Sequence, residues 1–294
     1  MNVKHLLRLY EKGIRDFAGI DLRGAELNRV PLIQVNLEGA RLEGTNMSRA
    51  FLTKSKLSGA SLNRANLSFA KLSDSNLIDT DLTKANLSGA FMVKAQLGGA
   101  QLSGANLTGV NLRDANLCGA NLCGANLQGV NLRGANLAEA NLSWANLAYA
   151  RLSGAKVQNA KLNGVNLSGA YLNGLDLNNL DLEGVSLMSA KLSGANLQGA
   201  RLMAANFREA KLRGVNLSGA NLIGADFSGA ELRNASFDRA QLNRASLKNV
   251  DIAEVKLTGA IIDGVEFSES LLADTIRQYL QSIASPNPPL GYEG

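Results

Sequence analysis

The feature that most constrains this chain is a period of five residues. A large apolar residue recurs at every fifth position from Phe17 to Phe267, and neither an insertion nor a deletion interrupts the phase. The series contains 51 consecutive pentapeptides, and 41 of them have Leu at the centre. An internal repeat this regular determines the architecture before local propensities matter.

A period of five matches neither the helical period of 3.6 nor the strand period of 2. A helix would spread these leucines over its whole surface, and a plain strand would turn every second one outward. The pattern instead predicts that each pentapeptide forms one short side of a coil and then turns a corner. Of the 30 Gly residues, 26 lie two residues after a centre, where a tight turn needs the positive φ that Gly adopts without steric strain.

The pentapeptides themselves, quoted as AELNR, VNLEG, ANLSG and ADFSG, resemble the Ala-Asp/Asn-Leu-x-x motif of the pentapeptide repeat family. The resemblance implies an all-β fold, a right-handed quadrilateral β-helix, which is a solenoid with four pentapeptides in each coil. With neighbouring backbones about 4.8 Å apart, some 13 coils would make a rod about 60 Å long.

The core of such a coil is predicted to be narrow, because the residue two before each centre is Ala in 33 pentapeptides. Leu175 and Leu180 are consecutive exceptions, and they indicate either a local bulge or bend or a repacked core. Phe207, Phe227 and Phe267 fall on one side near the end, where we expect a wider core. Seven Asn residues at intervals of 20 predict a ladder of side-chain hydrogen bonds; they are Asn46, Asn66, Asn86, Asn106, Asn126, Asn146 and Asn166.

Both ends of the solenoid have apolar residues at helical spacing, which predicts a short capping helix at each end. We expect an N-terminal helical cap in 1–14, with the helix over about 2–12, and the β-helix in 15–269. A C-terminal helical cap follows in 270–285, with Ser270 as its N-cap, and then a Pro-rich tail in 286–294. Some relatives dimerise through this C-terminal region, so both a monomer and a dimer are open.

Composition favours a cytoplasmic protein without catalytic chemistry. The charges within the first fifteen residues argue against a secretory leader, and no stretch approaches the length of a membrane span. Cys118 and Cys123 are predicted to be free, because they point outward from adjacent sides. The single His, His5, lies in the N-terminal cap, and no catalytic triad or metal-binding motif is present. We therefore expect neither an enzyme nor a bound cofactor or metal.

With four pentapeptides in each coil, residues 20 apart should stack, so the outward residues sort onto four sides. The side with centres at 32, 52, 72 and so on holds ten basic and five acidic residues, and we call it the basic side. The other three sides have net charges of −2, +1 and −1, within a total of +5.

Exposed aromatic residues share this bias toward the basic side, and they form two groups. Aromatic stacks on β-surfaces also stabilise the fold, but a contiguous exposed apolar group often marks a contact. The hypothesis is that one or both groups bind a protein. The first cluster is Phe51, Phe69, Lys71 and Phe91; the second cluster is Trp144, Tyr149, Arg151 and Tyr171.

The sequence thus predicts a non-enzymatic protein–protein interaction module with a regulatory role. The opening LLRLYEKGIRDFAGIDLRGAEL is similar to cyanobacterial family members, among them a regulator of heterocyst differentiation. One alternative is nucleic-acid binding through the basic side. Another is mimicry of DNA toward DNA gyrase, as in some relatives, which the net charge of +5 disfavours because a mimic must present negative charge.

Overall fold

The computed structural model describes residues 2–252 and 254–267, which form one α-helix followed by a β-helix. Single parallel bridges join residues 20 apart along the β-helix, beginning with Asp16–Asn36 and continuing, with one break described below, to Ser246–Glu266. Each coil therefore contains 20 residues, or four pentapeptides, as predicted. The right-handed winding stays a prediction. The predicted C-terminal cap and Pro-rich tail lie outside the described residues.

Backbone hydrogen bonds between coils hold the solenoid together. In a regular pentapeptide the N–H of the centre donates to a carbonyl in the next coil, and the preceding N–H donates to the previous coil. Leu137 N donates to Lys156 O at 2.7 Å, and Asn136 N donates to Ala115 O at 2.9 Å. The ladder thus pairs the polar backbone groups of a wall whose inner face is buried.

The corners adopt one backbone conformation whatever residue occupies them. Every fifth residue from Gly19 to Gly264 has φ between +53° and +71°, and these corners include Phe69 at 57° and Trp144 at 62°. The predicted positive φ is confirmed. Since this region is unfavourable for residues with a Cβ, the closed coil imposes it on aromatic and charged residues as well.

The core consists of the centre side chains and the small residues two positions before them. Where a polar residue replaces Ala, its hydroxyl donates to a backbone carbonyl: Ser75 Oγ to Leu72 O at 2.6 Å and Thr80 Oγ1 to Leu57 O at 2.9 Å. Both side chains are fully buried. These bonds allow a buried hydroxyl in a tube that is otherwise apolar.

Three phenylalanine rings pack together in the core near the C-terminal end of the described β-helix. Phe207 and Phe227, which the sequence assigns to one side, stack with centroids 4.6 Å apart; the wider core expected there stays a prediction. The third ring is Phe237 rather than Phe267; it meets Phe227 edge-on at 5.6 Å from the opposite side of the coil. A contact that crosses the tube joins two sides, so it does not follow from the side to which each ring belongs.

A break in the ladder lies at Leu175 and Leu180, which are both buried. Within residues 2–252, the pairings of Lys156 with Asp176 and of Lys161 with Asp181 are missing, although the flanking pairings Arg151–Tyr171 and Asn166–Ser186 are present. The coil therefore opens on two adjacent sides and stays closed on the other two. We call this feature the coil break, and it confirms the bulge-or-bend alternative.

The size of the two leucines accounts for the coil break. They occupy inward positions that usually hold Ala, and their extra volume pushes two sides of the coil apart. Ala155 and Ala160, one coil earlier, are 8% and 7% exposed, whereas Ala135 and Ala140 are fully buried.

The predicted asparagine ladder is present along one side. In five of the Asn residues Nδ2 donates to Oδ1 of the Asn 20 positions earlier, at 3.1–3.4 Å; these are Asn66, Asn86, Asn106, Asn146 and Asn166. The same Oδ1 atoms also accept the N–H two residues further on, as in Asn66 with Ser68. The ladder stabilises the wall and leaves little capacity for a ligand.

The predicted N-terminal helix, α1, spans Val3–Glu11. The side chain of Asn2 accepts the N–H of His5 and serves as its N-cap. Leu6 is fully buried in the core of the first coils. The helix ends before Gly13, which has φ of 88°, and His5 itself is exposed.

Candidate functional site

The basic side exists as one wall, with both predicted clusters on it or beside it. Phe51 pairs with Lys71, and Lys71 pairs with Phe91, so three residues of the first cluster lie in three successive coils. Arg151 pairs with Tyr171 in the same way in the second cluster. The 20-residue register thus brings these side chains together as predicted.

Phe69 lies on the corner beside this wall, over a glycine of the next coil. A Cβ added to Gly89 would come within 2.6 Å of Phe69 Cε1, so the ring occupies the space that a side chain would need. The ring shields backbone that glycine leaves bare, which is a stabilising arrangement in β-structure. Phe69 nevertheless remains 52% exposed, so one face of the ring is open to a partner.

The two corner aromatics of the second cluster repeat this arrangement. Trp144 lies over Gly164, and Tyr149 lies over Gly169. They are 72% and 60% exposed. Both interpretations from the sequence therefore apply to the same residues, since each ring packs on one face and is free on the other.

The first cluster borders a shallow depression of about 370 Å³. Arg29, Arg49 and Phe69 line it from one corner, and Phe51 and Lys71 line it from the basic side. The Arg49 guanidinium lies 5.6 Å from the centre of the Phe69 ring, and Lys71 Nζ lies 4.8 Å from the centre of the Phe51 ring. These cation–π contacts hold the cations beside the rings.

The cations of this depression lack acidic partners. Within residues 2–252 and 254–267, no ion pair involves Arg29, Arg49 or Lys71. Further along the basic side three cations are paired: Arg113 with Asp114, Lys211 with Glu231 and Arg233 with Glu254. The depression therefore brings together three cations that no described acidic side chain pairs with.

In the second cluster, Tyr171 lies between two cations. Lys191 Nζ is 3.9 Å from the ring centre, and the Arg151 guanidinium is 6.0 Å from it. A hydrogen bond from Lys191, and then its charge, lower the pKa of the Tyr171 hydroxyl below its usual value. Tyr149 is on the neighbouring corner, and Trp144 is one corner further back. In the part of the chain that the structure describes, no ring contact joins these three aromatic residues.

Sequence reasoning missed three cations of these clusters as site residues. It counted Arg29 and Arg49 with the preceding side, although they stand 40 and 20 residues before Phe69 on the same corner. Sorting corner residues by the 20-residue register would have found them. Lys191 was assigned to the basic side but not to the second cluster, because the direction of a lysine side chain does not follow from register alone.

Other classes of site receive no support from the residues described. Among residues 2–252 and 254–267, no group of three or more His, Cys, Asp or Glu side chains could hold a metal ion. Cys118 and Cys123 are free and partly exposed, as predicted. No helix in these same ranges has the length and apolar character needed to cross a bilayer.

The chain is a repeat solenoid that is built from five-residue steps, four in each coil, and exposes aromatic and basic residues on one side. The chain belongs to the pentapeptide repeat family. The family profile, described as pentapeptide repeats, matches in eight copies; the matched residues include 60–99, 100–137, 125–164, 150–188, 166–202, 200–238 and 235–274. No curated protein sequence matches the chain.

Several solved structures of this family are similar to the chain. HetL, a pentapeptide repeat protein involved in heterocyst differentiation regulation from the cyanobacterium Nostoc sp. strain PCC 7120, is 30% identical; the match covers 93% of this chain and 98% of HetL, with a TM-score of 0.33. A pentapeptide repeat protein from the Arabidopsis thaliana thylakoid lumen is 33% identical over 38% of this chain and 79% of its own, with a TM-score of 0.22. Full-length QnrB1, a plasmid-mediated fluoroquinolone resistance protein, is 18% identical over 92% and 100%, with a TM-score of 0.25.

Proposed function

We propose that the protein is a non-enzymatic protein–protein interaction module with a regulatory role, which binds a partner through the basic side. Repeat solenoids offer long rigid surfaces that commonly serve as binding sites. The identity of 30% with HetL across nearly both whole chains supports the regulatory role. In this proposal the protein acts in the cytoplasm. Its fold is a right-handed, four-sided solenoid, and α1 caps the N-terminal end.

The observation that carries this proposal is the exposed aromatic surface of the first cluster. Phe69 is fixed over Gly89 but is half exposed, and Phe91 is 48% exposed one coil further along the basic side. Rings held in place lose little conformational freedom on binding, which favours affinity. Aromatic residues and Arg are the residue types in which binding energy concentrates at interfaces.

Affinity capture from the native host tests the proposal. We expect Phe51→Ser, Phe69→Ser and Phe91→Ser, combined in one variant, to lose proteins that the wild type retains. The matched control replaces exposed apolar residues on other sides, Met188→Ser and Ile261→Ser, and should retain them. An identical set of captured proteins for the wild type and the triple variant would remove the first cluster from the proposal.

The second cluster is tested separately with Tyr149→Ser and Tyr171→Ser. Tyr149 covers Gly169, so this variant also needs a thermal unfolding measurement to show that the coil is intact. Loss of a partner from a variant that is still folded supports a contact at this cluster. Retention of every partner would limit the interaction to the first cluster.

Nucleic-acid binding is the second candidate, and the stack of Tyr171 between Arg151 and Lys191 favours it. Binding to a phosphate backbone weakens steeply as salt rises, so titration of a labelled duplex with salt separates this candidate from a protein contact. Mimicry of DNA is disfavoured, because the chain has a net charge of +5 and a mimic must present the negative charge of phosphates.

A further inference from the structure

We propose that the depression of the first cluster binds an acidic segment of a protein partner, with an apolar side chain between carboxylates. This inference rests on the proposed interaction function and names the chemistry of its partner. The depression is formed by Arg29, Arg49, Phe51, Phe69 and Lys71.

The lining of the depression combines ring faces with cations and contains no acid. Phe51 and Phe69 provide an apolar floor; Arg49 and Lys71 lie beside these rings, and Arg29 completes the lining. Because no described acidic side chain pairs with Arg29, Arg49 or Lys71, their charge is free to attract carboxylates. A complementary ligand must therefore be apolar at its centre and negative on its flanks.

The open form of the depression favours a peptide segment over a small molecule. Sites for small ligands enclose most of the ligand surface, whereas this depression lies on a convex wall and covers a ligand from one side. A segment of protein can extend beyond it, toward Phe91 in one direction and along the corner of Arg29 in the other. The additional contacts along the rod compensate for the shallow depression.

The distribution of charge disfavours a nucleic acid at this position. A phosphate backbone needs a continuous positive track. Beyond the depression, acids of the same side interrupt such a track: they pair with Arg113, Lys211 and Arg233, although Arg133 and Arg151 are in no ion pair among the described residues. A group of three unpaired cations on a wall whose positive charges are interrupted by acids suits a short acidic segment better than a long polyanion.

A direct binding experiment tests this inference with a fluorescein-labelled peptide, Glu-Asp-Trp-Glu-Asp, and the purified full-length protein. We expect saturable binding by fluorescence anisotropy. The amide peptide Gln-Asn-Trp-Gln-Asn and the peptide Glu-Asp-Ala-Glu-Asp should each bind at least about tenfold more weakly. The first lacks the carboxylates, and the second lacks the large apolar side chain. Absence of binding by the acidic tryptophan peptide, or equal binding of all three, would overturn the inference.

Charge reversal then places the binding site. Arg49→Glu and Lys71→Glu should each weaken binding at least about tenfold, a loss of about 1.4 kcal/mol. Arg244→Glu is the matched control, since Arg244 is also a corner arginine, with φ of 59° against 58° at Arg49; it should leave affinity unchanged. Equal losses of affinity in all three variants would show only long-range attraction and would overturn the inference. Tighter binding of labelled oligothymidylate than of the acidic peptide would also overturn it.

Competition separates this inference from the function on which it rests. Unlabelled acidic peptide should displace a captured partner from the wild type. If the triple phenylalanine variant loses its partner but the peptide neither binds nor competes, the interaction function stands and the acidic chemistry is wrong. If the peptide binds as expected and no captured protein depends on the phenylalanines, the site for acidic segments stands and the interaction role is wrong.

Discussion

Replacing Leu175 and Leu180 with Ala should close the coil break rather than damage the core. The two leucines are the physical cause of the opening, because they fill positions that hold Ala in most other coils. With Ala at both positions, the two sides can return to the spacing of the regular ladder. The chain then gains backbone hydrogen bonds while it loses buried apolar surface.

The two contributions are similar in size. The regular register adds seven backbone hydrogen bonds that are missing at the break, with donors at 154, 157, 159, 162, 164, 176 and 181. At about 1 kcal/mol each, their net contribution is about 7 kcal/mol. Two Leu→Ala changes in a closely packed core typically destabilise by about 4–10 kcal/mol together. We therefore expect the free energy of unfolding of the double variant to lie within about 3 kcal/mol of the wild-type value.

Leu177→Ala with Leu182→Ala is the matched control, since these residues are buried centres on the same two sides. Their removal leaves cavities and restores no pairing, so the control should lose the full amount expected for two core leucines. Denaturant unfolding compares the two double variants. Equal losses of stability would refute the reasoning.

Hydrogen exchange tests the mechanism itself. In the wild type the amides of Val157, Asn159, Leu162 and Gly164 lack the carbonyl acceptors that the regular ladder provides, so they should exchange rapidly. In the Leu175→Ala, Leu180→Ala variant they should become protected. Exchange that stays rapid in the variant would show that the leucines do not hold the break open.

Further predictions concern a corner and two ionisable groups. Gly124→Ala should destabilise the fold by about 1 kcal/mol, because φ at Gly124 is +64° and no neighbouring atom opposes the added methyl group. Gly98 has no positive φ, and a methyl group there would make only ordinary contacts. Gly98→Ala should therefore be neutral or slightly stabilising, and thermal unfolding compares the two variants. Arg23 and then Arg41 hold the pKa of Asp21 at about 2, below its usual 3.8. The ionised Asp21 carboxylate therefore stabilises the fold at pH values above its pKa in the unfolded chain, and this contribution is lost as pH falls toward 2. An NMR titration in which Arg23→Ala leaves the midpoint of Asp21 unchanged would contradict this. Tyr171 should form its phenolate at lower pH than free tyrosine, since Lys191 lowers its pKa; Lys191→Met should raise that midpoint in an ultraviolet titration, with Tyr171→Phe identifying the signal.

Much of the fold could be predicted from the sequence, because a narrow tube leaves few choices at each position. The period of five determined which residues face inward, and the position of Gly predicted the positive φ of the corners. The 20-residue register placed Phe51, Lys71 and Phe91 on one wall. Four sides and the register itself came from the resemblance to the family, since the period alone does not give the number of sides.

The candidate site was harder to predict, because it depends on the directions of side chains. Phe69 leans toward Gly89 of the next coil, and Arg49 in turn lies over Phe69. A corner belongs to two sides at once, so sorting residues by side separated Arg29 and Arg49 from the rings they accompany. The outcome at Leu175 was also open, because the same extra volume could have been absorbed inside the tube.

The separation of the inner face from the outer face has a consequence for how such a chain can change in length. Gain or loss of five residues keeps every leucine inward, but it moves all outward residues that follow the change to the adjacent side. Gain or loss of 20 residues keeps the walls in register and only changes the separation of the two clusters, by about 4.8 Å. A lineage of such rods can therefore reposition its surface features in discrete steps while the interior stays unchanged.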